Sequence, residues 1–187
     1  VPGWDNLSLR QKEYAYHLSE AAKLGRDITW DQYCKWNLPI RHVVEDILNE
    51  YEGDRECADF QNFTVYAKRL FFANGIHHHY SEDKFFPECP KEYFQSLMEA
   101  VGDGEQATEL LEVIYSPDIY PQRRSTSKTG DIVELSAVNF YDGVTREEVD
   151  KYYNSMMDPN DKTPISYGLN TKVVKEDGKV VEKPWKV

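Results

Sequence analysis

The stretch "ECADFQNFTVYAKRLFFANG", residues 56–75, decides the fold class of this chain. Its apolar residues recur every three or four positions, the spacing that places side chains on one face of an α-helix. Asn74 and Gly75 close the stretch, and this dipeptide favours the left-handed backbone that ends helices. We therefore predict a helix from about Glu56 to Ala73. The residues expected to face inward are Phe60, Phe63, Ala67, Leu70 and Phe71.

Similar signals predict helices along most of the chain. Gly25 is expected to end the first of these helices, because glycine is enriched just past helix ends. The apolar face of that helix would carry Tyr14, Leu18, Ala21 and Ala22. The remaining signals are the Ser8–Gln11 and Thr145–Glu148 capping boxes, Pro39 and Pro90 in first turns, and the apolar repeat of residues 107–114.

The C-terminal stretch "TKVVKEDGKVVEKPWKV", residues 171–187, has a different pattern. Short β-branched runs flank Asp177-Gly178, which is a strong signal for a β-hairpin. A lone hairpin is marginally stable in water, so we expect further sheet partners in a longer parent chain. The predicted fold is mainly α (α+β): a helical bundle-like domain at residues 1–160 and a C-terminal β-ribbon at residues 161–187.

Composition narrows the classes of function. The chain has 187 residues, of which 40% are hydrophobic, as expected of a folded rather than a disordered chain. Its net charge of −11 argues against nucleic acid as a partner, because phosphate binding needs a concentrated basic face. The one basic cluster, Arg123 and Arg124 with Lys128, lies among serines and threonines and is interpreted as a solvated loop. No apolar run approaches the roughly 18 residues of a membrane span, so no membrane partner is expected.

The cysteines indicate a reducing compartment. Cys34, Cys57 and Cys89 are odd in number and lack close pairing, a pattern that favours free thiols. We therefore expect a cytoplasmic protein. Glu56 and Glu88 each precede a cysteine, but no histidine is near either pair, so both thiols are interpreted as buried and unreactive.

The run "NGIHHHYSEDKF", residues 74–85, holds three of the five histidines in the chain. Histidine is the commonest metal ligand, yet consecutive residues do not converge on one ion. In an extended segment only His77 and His79 would point the same way. A structural role at the exit of the preceding helix is the favoured interpretation, because imidazoles there can donate to the last carbonyls. A functional surface contact and a metal site are the alternatives.

No other group of residues predicts an active site. Asp27 and Asp31 could share a helix face, but the favoured interpretation is two capping acids on a solvated turn. The nucleophile-elbow and His-Glu-x-x-His patterns are absent. We predict no catalytic residue, no cofactor-binding residue and no metal ligand in this chain.

One long stretch resembles a known family. "YAKRLFFANGIHHHYSEDKFFP", residues 66–87, is similar to a segment of the dipeptidyl peptidase III family of zinc metallopeptidases, in its Bacteroides-like bacterial branch. Three other stretches resemble the same family in the same order. They are "LGRDITWDQYCKWNLPIR" at residues 24–41, "DIVELSAVNFYDGVT" at residues 131–145, and residues 158–187.

The resemblance implies that this chain is one part of a larger enzyme. Members of the family have two lobes around a wide cleft and hold zinc with a His-Glu-x-x-Gly-His helix and a Glu-Glu-Cys-x-Ala helix. Neither motif occurs here, and "RECAD" at residues 55–59 lacks the doubled glutamate of the second one. The resemblance therefore implies the non-zinc lobe, inactive alone, whose partners are the zinc lobe of the parent polypeptide and a peptide substrate. The segment expected to shape the cleft comprises Asn74, His77, His78, His79 and Tyr80.

In the implied parent, a zinc-bound water attacks the second peptide bond from the N-terminus and releases dipeptides. An acidic lobe would favour a cationic peptide terminus electrostatically. The alternative is a self-sufficient acidic helical module that binds a protein partner and has no enzymatic activity. Thirteen tyrosines and four tryptophans suit an interface, although they suit a core as well.

Overall fold

A computed structural model describes residues 2–161 and 170–186, and it confirms a mainly α fold with a C-terminal hairpin. The described helices are α1 Leu9–Tyr33, α2 Asn37–Glu50, α3 Ala58–Ala73, α4 Lys91–Ala100, α5 Ala107–Tyr115 and α6 Arg146–Asn154. Short 3-10 helices cover Trp4–Asn6 and Gly104–Gln106. The strands are β1 Tyr141–Asp142, β2 Thr171–Glu176 and β3 Lys179–Pro184. The predicted start of the ribbon, at residues 162–169, and its last residue, Val187, lie outside the described residues.

The core forms around α3, the helix that the opening stretch predicts. Phe60, Phe63, Ala67 and Leu70 are buried there as predicted, while Phe71 is half-buried at the edge of the core. Phe63 meets Phe94 of α4 edge to face, with ring centroids 5.0 Å apart. Burying an aromatic or large aliphatic side chain contributes about 1.5–3 kcal/mol, so this face of α3 is a main source of stability.

The first helix is longer than predicted, because α1 continues through Gly25 to Tyr33. A glycine inside a helix costs only about 1 kcal/mol relative to alanine, and packing beyond it offsets that cost. Trp30 is fully buried in the core, and Asp27 accepts a 2.7 Å hydrogen bond from Arg41 of α2. The expectation that Gly25 ends the helix was therefore wrong. The helix begins as predicted, at the Ser8–Gln11 capping box.

Residues 9–26 of α1 extend away from the core. Leu9, Tyr14, Leu18 and Leu24 are all more than half exposed. This part of α1 has no buried residue, and its side chains of intermediate exposure carry local contacts such as the Glu20–Lys23 ion pair.

The C-terminal hairpin has the predicted turn. Asp177 and Gly178 both have positive φ, 48° and 77°, as a two-residue type I′ connection requires. β2 and β3 pair antiparallel, with Val174 opposite Val181. A third strand, β1, pairs parallel to β2, so the hairpin has a sheet partner from within residues 1–160 that the sequence did not predict. A larger sheet in a parent chain stays a prediction.

A second, smaller apolar cluster underlies this sheet. Val144, Val149 of α6 and Val173 of β2 are its buried members, so this cluster joins residues from both sides of residue 160. The boundary at residue 160 stays a prediction. Asp31 of α1 connects the two parts. Its carboxylate accepts hydrogen bonds from Trp185 Nε1 at 2.9 Å and from Asn139 Nδ2 at 3.3 Å.

The acids predicted to cap a solvated turn therefore have other positions and partners. Asp27 and Asp31 both lie near the end of α1, where one holds α2 and the other holds the C-terminal ribbon. Burial raises the pKa of Asp31, against the opposing effect of its hydrogen bonds. The interpretation of the pair as capping acids was wrong.

None of the described helices combines the length and the apolar character needed to cross a membrane.

Candidate functional site

The turn that follows α3 begins with two residues in left-handed or glycine-specific conformations. Asn74 ends the helix with φ 55°, and Gly75 follows with φ 148°, as the Asn-Gly signal predicts. The side chain of Asn37, fully buried at the start of α2, fills the space beside Gly75. A Cβ at position 75 would overlap the Asn37 amide. Because the Asn37 side chain lies this close to the backbone, only glycine fits at position 75.

Asn37 also provides hydrogen bonds that fix the direction of the turn. Its Nδ2 donates to the Trp30 carbonyl at 3.0 Å, and its Oδ1 accepts from the backbone N–H of Ile76 at 3.2 Å. One buried amide thereby joins the ends of α1 and α3. Buried polar groups with satisfied hydrogen bonds specify one arrangement strongly, because any alternative leaves them unpaired.

The three adjacent histidines have different environments. His77 is 2% exposed, and its Nε2 donates to the carbonyl of Tyr120 at 2.8 Å. Burial lowers the pKa of His77 to about 4, so the ring is neutral at pH 7. A carbonyl accepts but cannot donate, so the proton sits on Nε2, and the buried Nδ1 has no hydrogen-bond partner among the described residues.

Lys84 lies opposite His77 in an isolated antiparallel bridge. Its side chain is buried, and Nζ donates to the carbonyls of Ser116 at 2.5 Å and Ile119 at 2.7 Å. Burial lowers the pKa of Lys84 to about 8, since the charged form loses solvation that the carbonyls only partly replace. His77 and Lys84 together hold the loop at residues 116–121 against the turn.

Glu82 holds the next part of that loop. It has a left-handed backbone, φ 65°, which is unusual for a residue with a side chain. Its carboxylate accepts from Arg123 Nη2 at 3.1 Å and from Arg124 Nε at 2.8 Å. Hydrogen bonds from Arg124, together with those from Arg123, lower the pKa of Glu82 to about 2. Arg123 is itself buried, with its guanidinium 4.3 Å from the ring centre of Tyr33.

The interpretation of the Arg123–Lys128 stretch as a solvated loop was therefore wrong for Arg123. Its partners, Glu82 and Tyr33, are 41 and 90 residues away in the sequence, so no local pattern could indicate them. Asn37 and Glu82 are likewise missed by sequence reasoning. The only local signal was that charged residues follow the histidines directly.

The outer side of the turn carries exposed aromatic rings. Phe72 and Tyr80 are 72% and 84% exposed, and His79 lies between them with ring centroids at 4.8 Å and 4.3 Å. His78 lies 4.7 Å from His79 on the same surface. Its Nδ1 accepts from the backbone N–H groups of Tyr80 and Ser81, both at 3.2 Å. We call Phe72, His78, His79 and Tyr80 the aromatic ladder.

A polar surface groove of about 470 Å³ adjoins the ladder at Tyr80. Its lining residues are Tyr80, Ser81, Glu82, Gln122, Arg124 and Thr126. Gln122 donates to Asp83 Oδ1 at 3.1 Å, which keeps one wall of the groove in place. The groove thus offers amide, hydroxyl and guanidinium groups next to exposed rings.

The predicted site residues are divided between the interior and this surface. Asn74 shapes the backbone and His77 is a buried structural residue, whereas His78, His79 and Tyr80 are presented to solvent. His77 is turned away from the other two imidazoles toward Tyr120. No group of three or more His, Cys, Asp or Glu side chains in residues 2–161 and 170–186 could hold a metal ion. The predicted lack of metal and cofactor stays a prediction.

No protein-family model matches this sequence, and no curated protein matches it.

Proposed function

We propose that this chain is part of the non-zinc lobe of a zinc metallopeptidase like those of the dipeptidyl peptidase III family. The aromatic ladder and its groove would form part of the wall of the peptide cleft. The observation that carries the proposal is the construction of the turn at residues 74–85, the segment with the most specific resemblance. It exposes rings and polar groups on a base fixed by buried hydrogen bonds.

Such a surface suits a peptide for two reasons. Exposed Tyr and Phe rings contribute large contact area with few rotatable bonds, so little conformational entropy is lost on binding. The adjacent groove carries Gln122, Arg124 and Thr126, whose side chains can pair with peptide N–H and C=O groups. The net charge of −11 would attract a cationic N-terminus.

Zinc would belong to the remainder of the parent polypeptide, where it supplies a Lewis acid and an activated water. The described residues of this chain offer no ligand group for it, so their contribution is binding and orientation of the peptide. A cytoplasmic location is proposed on the three free cysteines, of which Cys34 and Cys89 are buried.

The direct test is to determine the coding sequence beyond residue 187. The proposal expects it to encode a His-Glu-x-x-Gly-His helix, and the extended protein to release dipeptides from a dipeptidyl arylamide. The chain of 187 residues alone should release no product above buffer, with or without added zinc. An isolated chain whose activity disappears with a chelator would contradict the proposal.

A substitution then tests the role of the ladder. In the extended protein, Tyr80→Ala should raise KM several-fold, because the ring loses its contact with peptide, and leave kcat within about twofold. Tyr16→Ala is the matched control, since Tyr16 is a similarly exposed tyrosine on α1, away from the groove. Equal effects of the two substitutions would count against the ladder as a cleft wall.

The second candidate, an acidic helical protein-binding module, is favoured by one observation. Residues 9–26 of α1 expose Tyr14, Leu18 and Leu24, an apolar surface typical of interaction sites. Under this alternative the coding sequence beyond residue 187 contains no zinc helix, and no extended form of the protein hydrolyses peptides.

A further inference from the structure

A second surface cavity, of about 390 Å³, adjoins the loop at residues 116–121. Tyr120 of that loop lines the cavity, as does Lys35, which lies just after α1. The other walls come from the stretches 133–139 and 141–145. The cavity shares no lining residue with the groove beside the aromatic ladder. Its volume is typical of pockets that bind small molecules, which measure about 300–1,000 Å³.

The walls of this cavity are fixed by the fold. The backbone N–H of Ala137 donates to the Gln122 carbonyl at 3.1 Å, and β1 pairs with β2. Tyr120 has a left-handed backbone, φ 51°, and its carbonyl accepts the hydrogen bond from His77. Unusual backbone of this kind costs about 1–3 kcal/mol and is concentrated at functional sites. A cavity whose walls are already ordered loses little entropy when it binds a ligand.

Two side chains of opposite charge line the cavity and have no ion-pair partner in the described part of the chain. They are Lys35 and Glu134, and both are exposed. The third charged residue of the lining, Asp142, lies 3.3 Å from Lys172 Nζ and is therefore already paired. The Lys35 ammonium lies 5.4 Å from the ring centre of Trp36, a cation–π contact that contributes only about 0.5–1 kcal/mol at an exposed site. One positive and one negative group of the cavity are thus available to a ligand.

We propose that this cavity binds a small zwitterion, an amino acid whose carboxylate pairs with Lys35 and whose ammonium pairs with Glu134. An anion alone would meet the Glu134 carboxylate and a cation alone would meet the Lys35 ammonium, whereas a zwitterion pairs with both. Hydrogen bonds between ionised groups are roughly twice as strong as neutral ones. Because both charges line one cavity, both ends of the ligand must lie within it, so the ligand is short.

The uncharged lining residues suit such a ligand. Tyr120, Tyr141 and Val133 offer apolar area for the carbon chain between the two charged groups. Burial raises the pKa of Tyr141, so its hydroxyl keeps its proton at pH 7 and can donate to a ligand carboxylate. Lys35 and Glu134 form no ion pair with each other, so their charged groups are more than 4.0 Å apart. The spacing of the two charges of the ligand must match that separation.

Isothermal titration calorimetry of the 187-residue chain with a series of amino acids tests the proposal. The series is glycine, β-alanine, γ-aminobutyrate and δ-aminovalerate, in which the two charges move apart by one methylene at a time. At least one member should bind, and the tightest one reports the separation of Lys35 and Glu134. Its N-acetyl form lacks the ammonium and its amide lacks the carboxylate, so each should bind at least tenfold more weakly.

Two substitutions then assign the charges. Lys35→Met should remove the preference for the free carboxylate over the amide, and Glu134→Gln should remove the preference for the free ammonium over the N-acetyl form. Both side chains are exposed, so both variants should fold, which circular dichroism checks. Lys23→Met and Glu20→Gln are the matched controls, because this exposed ion pair on α1 lies outside the cavity.

No binding by any member of the series would overturn the proposal. So would blocked forms that bind as tightly as the free amino acids, or equal effects of the test and control substitutions. A lost preference in each test variant, with unchanged binding in the controls, would support it. The inference does not rest on the proposed peptidase function, because the cavity and the ladder groove share no lining residue and the test measures no hydrolysis.

Discussion

The turn at residues 74–85 and the exposed half of α1 at residues 9–26 join the same core, but they are stabilised differently. The turn buries His77 and Lys84 and uses them to bind backbone carbonyls of a distant loop. The exposed half of α1 has its own helical hydrogen bonds and a capping box, with no buried side chain. One region depends on tertiary contacts that surround it, and the other on local structure alone.

This difference shows where substitutions will be costly. In the turn, the side chains of Asn37, His77 and Lys84 bond specific backbone groups, and removing one of these side chains leaves its backbone partner without compensation. In residues 9–26 of α1, a changed side chain meets water and neighbours in the same N-terminal segment, such as Trp4 beside Lys12. We therefore expect large effects on the free energy of unfolding in the turn and small ones in residues 9–26.

The largest effect is expected for Gly75→Ala. The added methyl group would overlap the buried Asn37 amide, and the backbone at φ 148° is accessible essentially to glycine alone. We expect a loss of about 3 kcal/mol or more in the free energy of unfolding, measured by urea denaturation. Gly102→Ala is the control, because Gly102 also has positive φ, 93°, but nothing lies within 4 Å of its added Cβ.

The control should cost about 1 kcal/mol, the effect of backbone strain without overlap. Similar losses for the two variants would show that the packing of Asn37 against Gly75 contributes little. The turn would then be less tightly specified than its contacts indicate.

The next largest effect is a dependence of the free energy of unfolding on pH. The pKa of His77 is lowered from 6.5 to about 4 by burial, so the unfolded chain binds a proton at this site between those values and the folded chain does not. Stability from the neutral ring is fully present above pH 6.5 and is lost as the pH falls toward 4. The loss should reach up to about 3 kcal/mol. The carboxylate of Glu82 contributes a separate loss only below pH 4.5.

His77→Gln isolates this contribution, because glutamine can donate to the Tyr120 carbonyl and does not titrate. Urea denaturation of both proteins from pH 7 to pH 5 should show a steeper decline for the unaltered chain. Parallel declines would indicate that His77 is protonated in the folded protein at the same pH as in the unfolded chain.

An intermediate effect is expected for Lys84→Met. Methionine can fill the space of the buried stem but leaves the Ser116 and Ile119 carbonyls without their donor. We expect a loss of about 2 kcal/mol at pH 7, from the unpaired carbonyls. Lys91→Met provides the matched control, since Lys91 is 40% exposed and makes only a surface ion pair with Glu112, and it should change stability by less than about 1 kcal/mol.

Local patterns in the sequence predicted those features that local forces determine. The apolar spacing of α3, the Asn74-Gly75 helix end and the Asp177-Gly178 hairpin all follow from nearest neighbours, and all are present. The prediction that α1 ends at Gly25 was wrong, because the burial of Trp30 stabilises the helix by more than one glycine destabilises it.

The candidate site was predicted only in part. The sequence identified the segment but treated its three histidines as one group. In the structure His77 is buried, whereas His78 and His79 belong to the solvent-facing aromatic ladder. The roles of Asn37 and Arg123 depend on contacts across 39 and 41 residues of sequence. Pairings over such distances result from the complete fold, and no spacing rule indicates them.

The smallest effect is expected for Leu18→Ala in the exposed half of α1. Leu18 is 52% exposed, so truncation removes little burial, and alanine has a helix propensity slightly better than that of leucine. The free energy of unfolding should change by less than about 0.5 kcal/mol. Leu70→Ala in α3, with its side chain fully buried, is the matched comparison and should cost about 2–5 kcal/mol. If Leu18→Ala destabilised the chain by a comparable amount, Leu18 would have to pack against the rest of this chain, and the contrast between the two regions would fail.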